Sequence, residues 1–321
     1  MHPLRGMLYI YQYMEAEIEQ PPLAPEHNRH RLKLPGNTLD DRDFSSFGRF
    51  VSLLGWNRSS YFLISALVLV LLMLGYVWWP LADDYISYID WNGEWWRYVD
   101  WLLIGIFLFM SLMIMAHANL KADARIVLVG LIGGLVIESW GTQTEIWTYY
   151  TDERPPLWII PAWPIASLTI DRMVRVLNTK FPQTISGGYR SINEVHSLSV
   201  LHKVTYWLIF PAFFGLMLYF AGPTMHQPFT IFALLLVAFI VLTPTDPRVA
   251  VLTFAAGAGL GYFLELWGTT RECWTYYTGQ TPPLFAVLAH GMAAVAFWRC
   301  ARVVNKLSDH LFRSVSQRNP V

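Results

Sequence analysis

Charged residues and cysteines are scarce in this chain of 321 residues. Asp, Glu, Lys and Arg together make up 14% of the sequence, whereas 54% is hydrophobic. Long uncharged apolar runs, of which 61–80 is the clearest, exclude a soluble globular protein and are typical of polytopic membrane proteins. The sequence also lacks a basic stripe, zinc-ligand spacing and a phosphate-binding glycine loop, so no nucleic-acid partner is predicted.

The two cysteines are Cys273 and Cys300. The topology derived below places them on opposite sides of the membrane, so no disulfide is predicted. Cys273 has no obvious neighbouring base and is predicted to be inert, with a lowering of its thiol pKa by the nearby Arg271 left open. No cleavable signal is visible, because the first apolar run begins only at residue 61.

A stretch of twenty residues occurs twice. Residues 138–157, ESWGTQTEIWTYYTDERPPL, align without a gap to residues 265–284, ELWGTTRECWTYYTGQTPPL, with 13 identical positions. Unrelated segments would agree at roughly one position in twenty, so the pattern indicates an internal duplication. The residues kept in both copies include carboxylates, hydroxyls and aromatic rings, which are typical of a functional site.

Eight membrane-spanning helices are predicted, at 61–80, 99–117, 125–140, 156–171, 204–222, 229–244, 248–266 and 283–301. With this topology 20 of the 23 Lys and Arg residues fall on one side, so both termini are cytoplasmic and both copies of the stretch face outward. Each copy belongs to a four-helix repeat, and an even number of spans makes the two repeats parallel. The predicted fold is therefore an all-α, multi-pass protein of the cell inner membrane, built from two parallel repeats.

The predicted domain boundaries follow from these spans. Residues 1–60 form a cytoplasmic, largely disordered arm, 61–177 the first transmembrane repeat, 178–203 a cytoplasmic linker, 204–304 the second repeat and 305–321 a cytoplasmic tail. The arm is rich in proline and basic residues, which is typical of a segment that does not pack into a core.

The predicted outer loop at 82–100 is acidic and rich in tryptophan. Much of it fits an aromatic belt at the membrane interface. A metal or pyrophosphate site at Asp83, Asp84 and Asp90 is left open, although their spacing matches no known cation loop and the second copy lacks them.

The duplicated glutamates, Glu138 and Glu265, are predicted to lie inside the membrane. Measured from Arg125 and Arg248, where their spans begin, they lie about 20 Å and about 26 Å along the helix, so Glu265 is expected nearer the outer interface. The Gly-Thr step after each glutamate is predicted to stop the helix, and the Pro-Pro pair to start the next one. Because irregular backbone at this depth must line a cavity, the two connectors are expected to fold together over an aromatic pocket.

An ionisable side chain inside the bilayer costs about 3 kcal/mol and points to function. Glu138 and Glu265 are therefore the predicted catalytic acids, because burial favours the protonated carboxyl. A structural alternative, in which each glutamate only caps amides of its connector, is left open. His290 replaces Trp163 of the first copy and lies near the expected depth of Glu265, so it is the candidate base, with a packing histidine as the alternative.

The segment GLVIESWGTQTEIWTYYTDERPPLWIIPAWPIA resembles the carotenoid-biosynthesis membrane proteins that include the bisanhydrobacterioruberin-type carotenoid hydratases. That family has a glutamate followed by Gly-Thr-x-Thr, an aromatic residue, two tyrosines, a threonine and a proline-led apolar helix with a tryptophan. The chain lacks the family's extra glycines, and its aromatic stretch is shorter. The resemblance implies a lyase that hydrates an isoprenoid double bond. The matching residues are Glu138, Gly141, Thr142, Thr144, Trp147, Tyr149, Tyr150, Thr151, Pro161 and Trp163.

The predicted function is an integral membrane enzyme that does acid–base chemistry, of hydration or isomerisation type, on an isoprenoid or carotenoid-like lipid in a pocket open to the outer leaflet. Neither a cofactor nor a metal is predicted, and the lipid substrate is the expected partner. A proton-coupled transporter or lipid carrier is one alternative, and a non-catalytic membrane scaffold or assembly factor is another. The predicted substrate-binding residues are Trp140, Thr142, Trp147, Tyr149, Tyr150, Trp163, Trp267, Thr269, Arg271, Trp274, Tyr276 and Tyr277.

Overall fold

A computed structural model describes residues 55–180, 192–243 and 245–318, with side chains for 55–179, 200–243 and 245–305. These residues are mostly helical and contain nine α-helices and two short strands. Short 3-10 turns lie at Trp95–Tyr98 and Gly222–Thr224. The helices, numbered α1 to α9 in chain order, are Arg58–Val77, Trp79–Ser87, Trp101–Met115, Leu120–Gln143, Ala162–Lys180, Ile192–Phe220, Pro228–Leu242, Pro247–Thr270 and Leu284–Arg318.

Four of the described helices are long and apolar enough to cross a membrane. The qualifying stretches are Arg58–Val77, Val200–Phe220, Pro247–Thr270 and Leu284–Asn305. Helices α3 and α7 are apolar but have 15 residues each, which corresponds to about 22 Å against a hydrocarbon core of about 30 Å. The helices thus indicate a membrane protein, whereas the number of eight spans and their grouping into two repeats stay predictions.

Polar side chains immediately before four helices determine where those helices begin. Each accepts a hydrogen bond from a backbone amide of the first turn, one of the amides that has no partner within the helix. The capping residues are Asn57, Asp100, Asn119 and Asp246, before α1, α3, α4 and α8. These starts therefore follow from local sequence as well as from hydrophobic burial.

Helix α4 ends in a left-handed turn. The amide of Ile146 donates to the Gly141 carbonyl at 2.9 Å, and Glu145 has a φ of 58°, the conformation that glycine usually supplies after a helix. The equivalent bond ends α8, so the two helices stop at Gln143 and Thr270. Both helices therefore end one residue after the Gly-Thr step at which a stop was predicted.

The two glutamates occupy the same place in helices of equal length. Helices α4 and α8 have 24 residues each, and both Glu138 and Glu265 follow 18 residues after the helix start. The difference in distance from the helix start on which the expected depth of Glu265 rested is therefore absent. The expected difference arose because α4 begins at Leu120, whereas the predicted span began at Arg125.

The connectors after α4 and α8 pair with each other as short strands. Strand β1, Trp147–Tyr149, runs antiparallel to β2, Trp274–Tyr276, with Trp147 opposite Tyr276 and Tyr149 opposite Trp274. Backbone bonds on both flanks extend this pairing by one residue at each end. The two copies of the duplicated stretch are therefore in direct contact.

A buried ion pair joins α4 to α5. Both carboxylate oxygens of Asp123 lie 2.7 Å from Nη2 of Arg172, and the two side chains are only 2% and 3% exposed. Arg172 also donates to the Ala116 carbonyl at 3.0 Å, at the end of α3, and contacts Asp171 at 2.5 Å. This arginine therefore packs inside the helix bundle.

Several predicted boundaries differ from the structure. Helix α5 begins at Ala162 and not at Pro156, because 157–161 form successive turns, whereas α9 begins directly after Pro283 as expected. The predicted linker at 178–203 is shorter, since α5 continues to Lys180 and α6 begins at Ile192. Most of the predicted arm, 1–54, and the last residues of the tail, 319–321, lie outside the described residues.

Candidate functional site

The carboxyl group of Glu138 is surrounded by three hydrogen-bond donors. Trp147 Nε1 donates to Oε2 at 3.1 Å, and Oε1 accepts from the Tyr149 hydroxyl at 3.0 Å and from Trp163 Nε1 at 3.1 Å. The glutamate is 3% exposed. All three donors are neutral groups, so the carboxyl is held by hydrogen bonds and not by an ion pair.

Glu265 has the same arrangement with one substitution. Trp274 Nε1 lies 2.9 Å from Oε2, and the Tyr276 hydroxyl lies 2.9 Å from Oε1. The third partner is His290, whose Nε2 lies 2.9 Å from Oε1. The glutamate is 4% exposed. A histidine thus stands where the first copy has a tryptophan, and it can donate or accept depending on its tautomer.

The alternation of a β-strand explains why tryptophan and tyrosine are two residues apart. Side chains at i and i+2 project from the same face, so Trp147 and Tyr149 both face Glu138 while Thr148 points away. Burial, and then the neighbouring carboxylate, raise the pKa of Tyr149 well above its ordinary value. The same causes act on the pKa of Tyr276, so both phenols remain O–H donors.

Glycines on α4 make room for the rings that hold Glu138. A Cβ on Gly141 would lie 1.9 Å from the Trp147 ring, and a Cβ on Gly134 would lie 2.4 Å from the Trp163 ring. Any side chain at either position would displace an indole. The corresponding contacts in the second copy are Gly268 with Trp274, at 1.9 Å, and Gly261 with His290, at 2.4 Å.

The two carboxyl sites touch each other through their aromatic partners. Across the strand pair, the Trp147 and Tyr276 rings are 5.9 Å apart, and so are the Tyr149 and Trp274 rings. The Trp163 and His290 rings are nearly parallel, at 5.8 Å and 16°. Because aromatic pairs at such distances stabilise each other, the two halves form one continuous cluster.

A cavity of about 840 Å³ contains both carboxyl sites. Its other walls are almost entirely apolar side chains of α1 and α3 to α9. Such a lining favours an apolar ligand with few polar anchoring points. Ten of the predicted site residues line it, namely Glu138, Trp140, Trp147, Tyr149, Trp163, Glu265, Trp267, Trp274, Tyr276 and His290.

The cavity has one buried side and one exposed side. Its lining from α1 and α3 includes the buried residues Leu67 and Ile106. Its lining from α4 and α7 includes Val136, Phe229 and Phe232, which are exposed apolar residues. The cavity therefore opens at the surface between α4 and α7.

The structure places four predicted substrate-binding residues outside the cavity lining. The hydroxyls of Thr142 and Thr269 donate to the backbone carbonyls of Glu138 and Glu265, four residues earlier, at 2.6 Å. These threonines are buried and stabilise the helix ends. The other two residues are Tyr150 and Tyr277. The Tyr150 hydroxyl donates to the Val77 carbonyl and the Tyr277 hydroxyl to the Phe220 carbonyl, each at the end of an earlier helix.

Arg271 also lies outside the cavity lining, where it binds an aspartate that the sequence had not singled out. Asp100 Oδ2 lies 3.0 Å from Nε of Arg271 and accepts from Trp267 Nε1 at 2.8 Å, while Oδ1 caps α3. The corresponding tryptophan, Trp140, donates to Thr230 at 3.2 Å instead. No sequence signal marked Asp100, because it lies outside the duplicated stretch.

The remaining candidates lie outside the cavity lining. Burial raises the pKa of the Cys273 thiol to about 12, and the opposing effect of Arg271 is smaller, so this thiol is not activated. The carboxylates of Asp83, Asp84 and Asp90 are exposed. Among the described residues, no group of three or more His, Cys, Asp or Glu side chains is placed to hold a metal ion.

One further pair of residues could have been recognised from the sequence. Gly134 and Gly261 each precede a glutamate by four residues, in GLVIE and GYFLE, and each makes room for the third partner of that glutamate. These glycines lie outside the duplicated stretch, which begins at the glutamates. No protein-family model, curated protein or solved structure matches the chain.

Proposed function

We propose that this protein is an integral membrane enzyme that does acid–base chemistry, of hydration or isomerisation type, on an isoprenoid or carotenoid-like lipid. The observation that carries the proposal is the pair of buried carboxyls, Glu138 and Glu265, on the wall of one apolar cavity. Ionisable groups are costly in such surroundings, and two of them kept in matching environments favour a chemical role.

The surroundings of the carboxyls suit a reaction through a carbocation. Protonation of a double bond needs an acid held next to carbon, and the positive charge that develops is stabilised by the faces of aromatic rings. Trp147, Tyr149, Trp274 and Tyr276 supply such rings beside the two carboxyls. The almost wholly apolar walls fit a hydrocarbon chain and would exclude bulk water from the cation.

The opening between α4 and α7 supports lateral entry of the lipid. Its rim is formed by exposed apolar side chains such as Val136, Phe229 and Phe232, which in a bilayer would face acyl chains. Phe229 and Phe232 lie in the first turns of α7, on the side of the bundle that carries the glutamates. A substrate dissolved in the outer leaflet would therefore reach the cavity without crossing water.

We also infer the finer architecture, with eight spans in two parallel repeats, both termini cytoplasmic and both connectors facing outward. The equivalent hydrogen bonds of Tyr150 and Tyr277 support the grouping into two repeats. Tyr150 and Tyr277 are 127 residues apart, but their partners Val77 and Phe220 are 143 apart, because α2 and its loop lengthen only the first half. This insertion explains why the duplication is hard to follow in the sequence before the glutamate helices.

Turnover of candidate polyenes tests the proposal. The full chain is expressed in a host that makes linear isoprenoids, and the extracted lipids are analysed by mass spectrometry. Glu138→Gln and Glu265→Gln are each expected to reduce product formation at least about 100-fold, the usual range for loss of a general acid or base. Tyr150→Phe, outside the cavity, serves as the control and should keep most activity. Unchanged product in both glutamine variants would refute the catalytic roles.

A lipid carrier is the second candidate, and the length of the cavity favours it. Its lining on α9 extends from Phe285 to Val304, 19 residues that cover roughly 29 Å, close to the thickness of the hydrocarbon core. Uptake of a labelled isoprenoid into vesicles with an imposed pH gradient distinguishes the carrier from the enzyme. Uptake that depends on the gradient and leaves the lipid chemically unchanged would support a carrier and contradict the enzyme.

A further inference from the structure

The two carboxyl sites match in every hydrogen-bond partner except one. Twenty-five residues after the glutamate, the first copy has Trp163 and the second has His290, and each lies within 3.1 Å of its carboxyl oxygen. An indole N–H only donates and never carries charge, whereas an imidazole can hold a proton. The sites are therefore similar in shape but different in the protons they can hold.

We propose that the two sites divide the work, with Glu138 as the neutral proton donor and the Glu265–His290 pair as the proton acceptor. The assignment rests on the proposed function and specifies the role of each carboxyl within it. Two carboxyls with different hydrogen-bond partners are a common way to obtain an acid and a base in one site.

The environment of Glu138 favours its neutral form. The carboxyl is buried, and its three partners, Trp147, Tyr149 and Trp163, carry no positive charge that would offset the loss of water. Glu265 is the other carboxyl of the same cavity, and a negative charge there also opposes ionisation of Glu138. A proton on Glu138 is thus retained until a substrate carbon accepts it.

Glu265 has a partner that can carry a positive charge, which Glu138 lacks. His290 lies 2.9 Å away and can become positively charged, so the pair can exist as carboxylate with imidazolium or as two neutral groups. A proton that arrives at either member is shared over a short hydrogen bond. The pair is therefore suited to receive a proton from a substrate or from water.

The reaction balances with one proton delivered and one received. The Glu138 proton adds to one carbon of a double bond, whose π electrons form the new C–H bond and leave a cation at the neighbouring carbon. In hydration, a water oxygen bonds to the cation and its proton passes to the Glu265–His290 pair. In isomerisation, an adjacent C–H bond loses its proton to that pair and its electrons form the new double bond. Return of the proton to Glu138 closes the cycle.

Infrared difference spectroscopy on the purified full-length protein in lipid nanodiscs tests the assignment without any turnover. A protonated carboxyl has a C=O stretching band well separated from those of carboxylates. This band is expected in the unaltered protein and in Glu265→Gln, and it is expected to disappear in Glu138→Gln. A band that persists in Glu138→Gln and disappears in Glu265→Gln would overturn the assignment.

Exchange of the single differing residue provides a second test. Trp163→His places a chargeable partner beside Glu138 and is expected to abolish the band, whereas Trp163→Phe, which removes the donor without adding charge, should keep it. Loss of the band in both variants would show that the indole hydrogen bond, and not the absence of a charged partner, keeps Glu138 protonated. This result would contradict the proposal. Because the spectra need no substrate, failure of the assignment is distinguishable from failure of the proposed reaction.

Discussion

Gly268 is required by the ring beside it and not by its backbone conformation. A Cβ there would lie 1.9 Å from the Trp274 ring, so Gly268→Ala is expected to displace the indole and break its bond to Glu265. The expected loss is about 1–3 kcal/mol in unfolding free energy, as for other overpacked cores, visible as a lower melting temperature in detergent.

Gly259 on the same helix is the matched control for this substitution. Nothing lies within 4 Å of a Cβ at that position. Gly259→Ala is therefore expected to leave stability unchanged or to raise it by up to about 1 kcal/mol, through helix propensity alone. Equal melting temperatures for the two alanine variants would mean that the ring contact does not constrain α8.

For single residues, the duplication marked the candidates but did not show which side chains line the cavity and which bind the backbone. Identity in both copies marked Glu138, Trp147 and Tyr149, and these residues line the cavity. It marked Thr142 and Tyr150 equally strongly, although their hydroxyls bind backbone carbonyls of nearby helices. A repeated residue reports that a contact is kept, and only the fold shows whether that contact is with a ligand or with the chain.

The helices were easier to predict than the strands that join the two copies. Apolar runs of fifteen or more residues indicated most helices, since this signal is local. Strands β1 and β2 have three residues each, too short for a periodic pattern, and they pair across 127 residues of chain. Their pairing depends on the packing of α4 against α9 and of α8 against α5, which the sequence alone does not specify.

The buried ion pair between α4 and α5 yields a prediction at the scale of these elements. Asp123→Ala leaves the buried Arg172 guanidinium with only the partly exposed Asp171 and the Ala116 carbonyl as partners, so the unfolding free energy is expected to fall by up to about 3–5 kcal/mol. Removal of both charges, in Asp123→Ala with Arg172→Met, is expected to recover a large part of this loss, because no uncompensated charge remains.

Thermal unfolding of the single and double variants gives the coupling between the two side chains. Arg172→Met alone completes the cycle, and its cost is expected to be smaller than that of Asp123→Ala, since Asp123 keeps the Asn119 amide as a donor at 2.8 Å. Additive losses in the double variant would show that the two charges are independent and that Asp171 and the carbonyl of Ala116 are the main partners of Arg172.

For the molecule as a whole, composition predicted the membrane and the duplication predicted a shared site open to the outer leaflet, but neither predicted which helices would flank the opening. The opening depends on which helices are neighbours around the cavity. Val136 and Phe232 belong to different halves of the chain, and each alone looks like an ordinary lipid-facing residue. Their shared position on one rim became visible only when α4 and α7 were placed side by side.

Two phenylalanines of α7 test this route into the cavity. Phe232 and Phe239 are almost equally exposed, at 60% and 62%, but only Phe232 lines the cavity. Phe232→Asn removes apolar contact worth about 1.5–3 kcal/mol, so at least about tenfold less isoprenoid should remain with the purified protein. Phe239→Asn places the same polar group on the same helix face toward lipid and should retain the lipid as before. Equal retention by both variants, measured by mass spectrometry against protein amount, would mean that the ligand enters elsewhere.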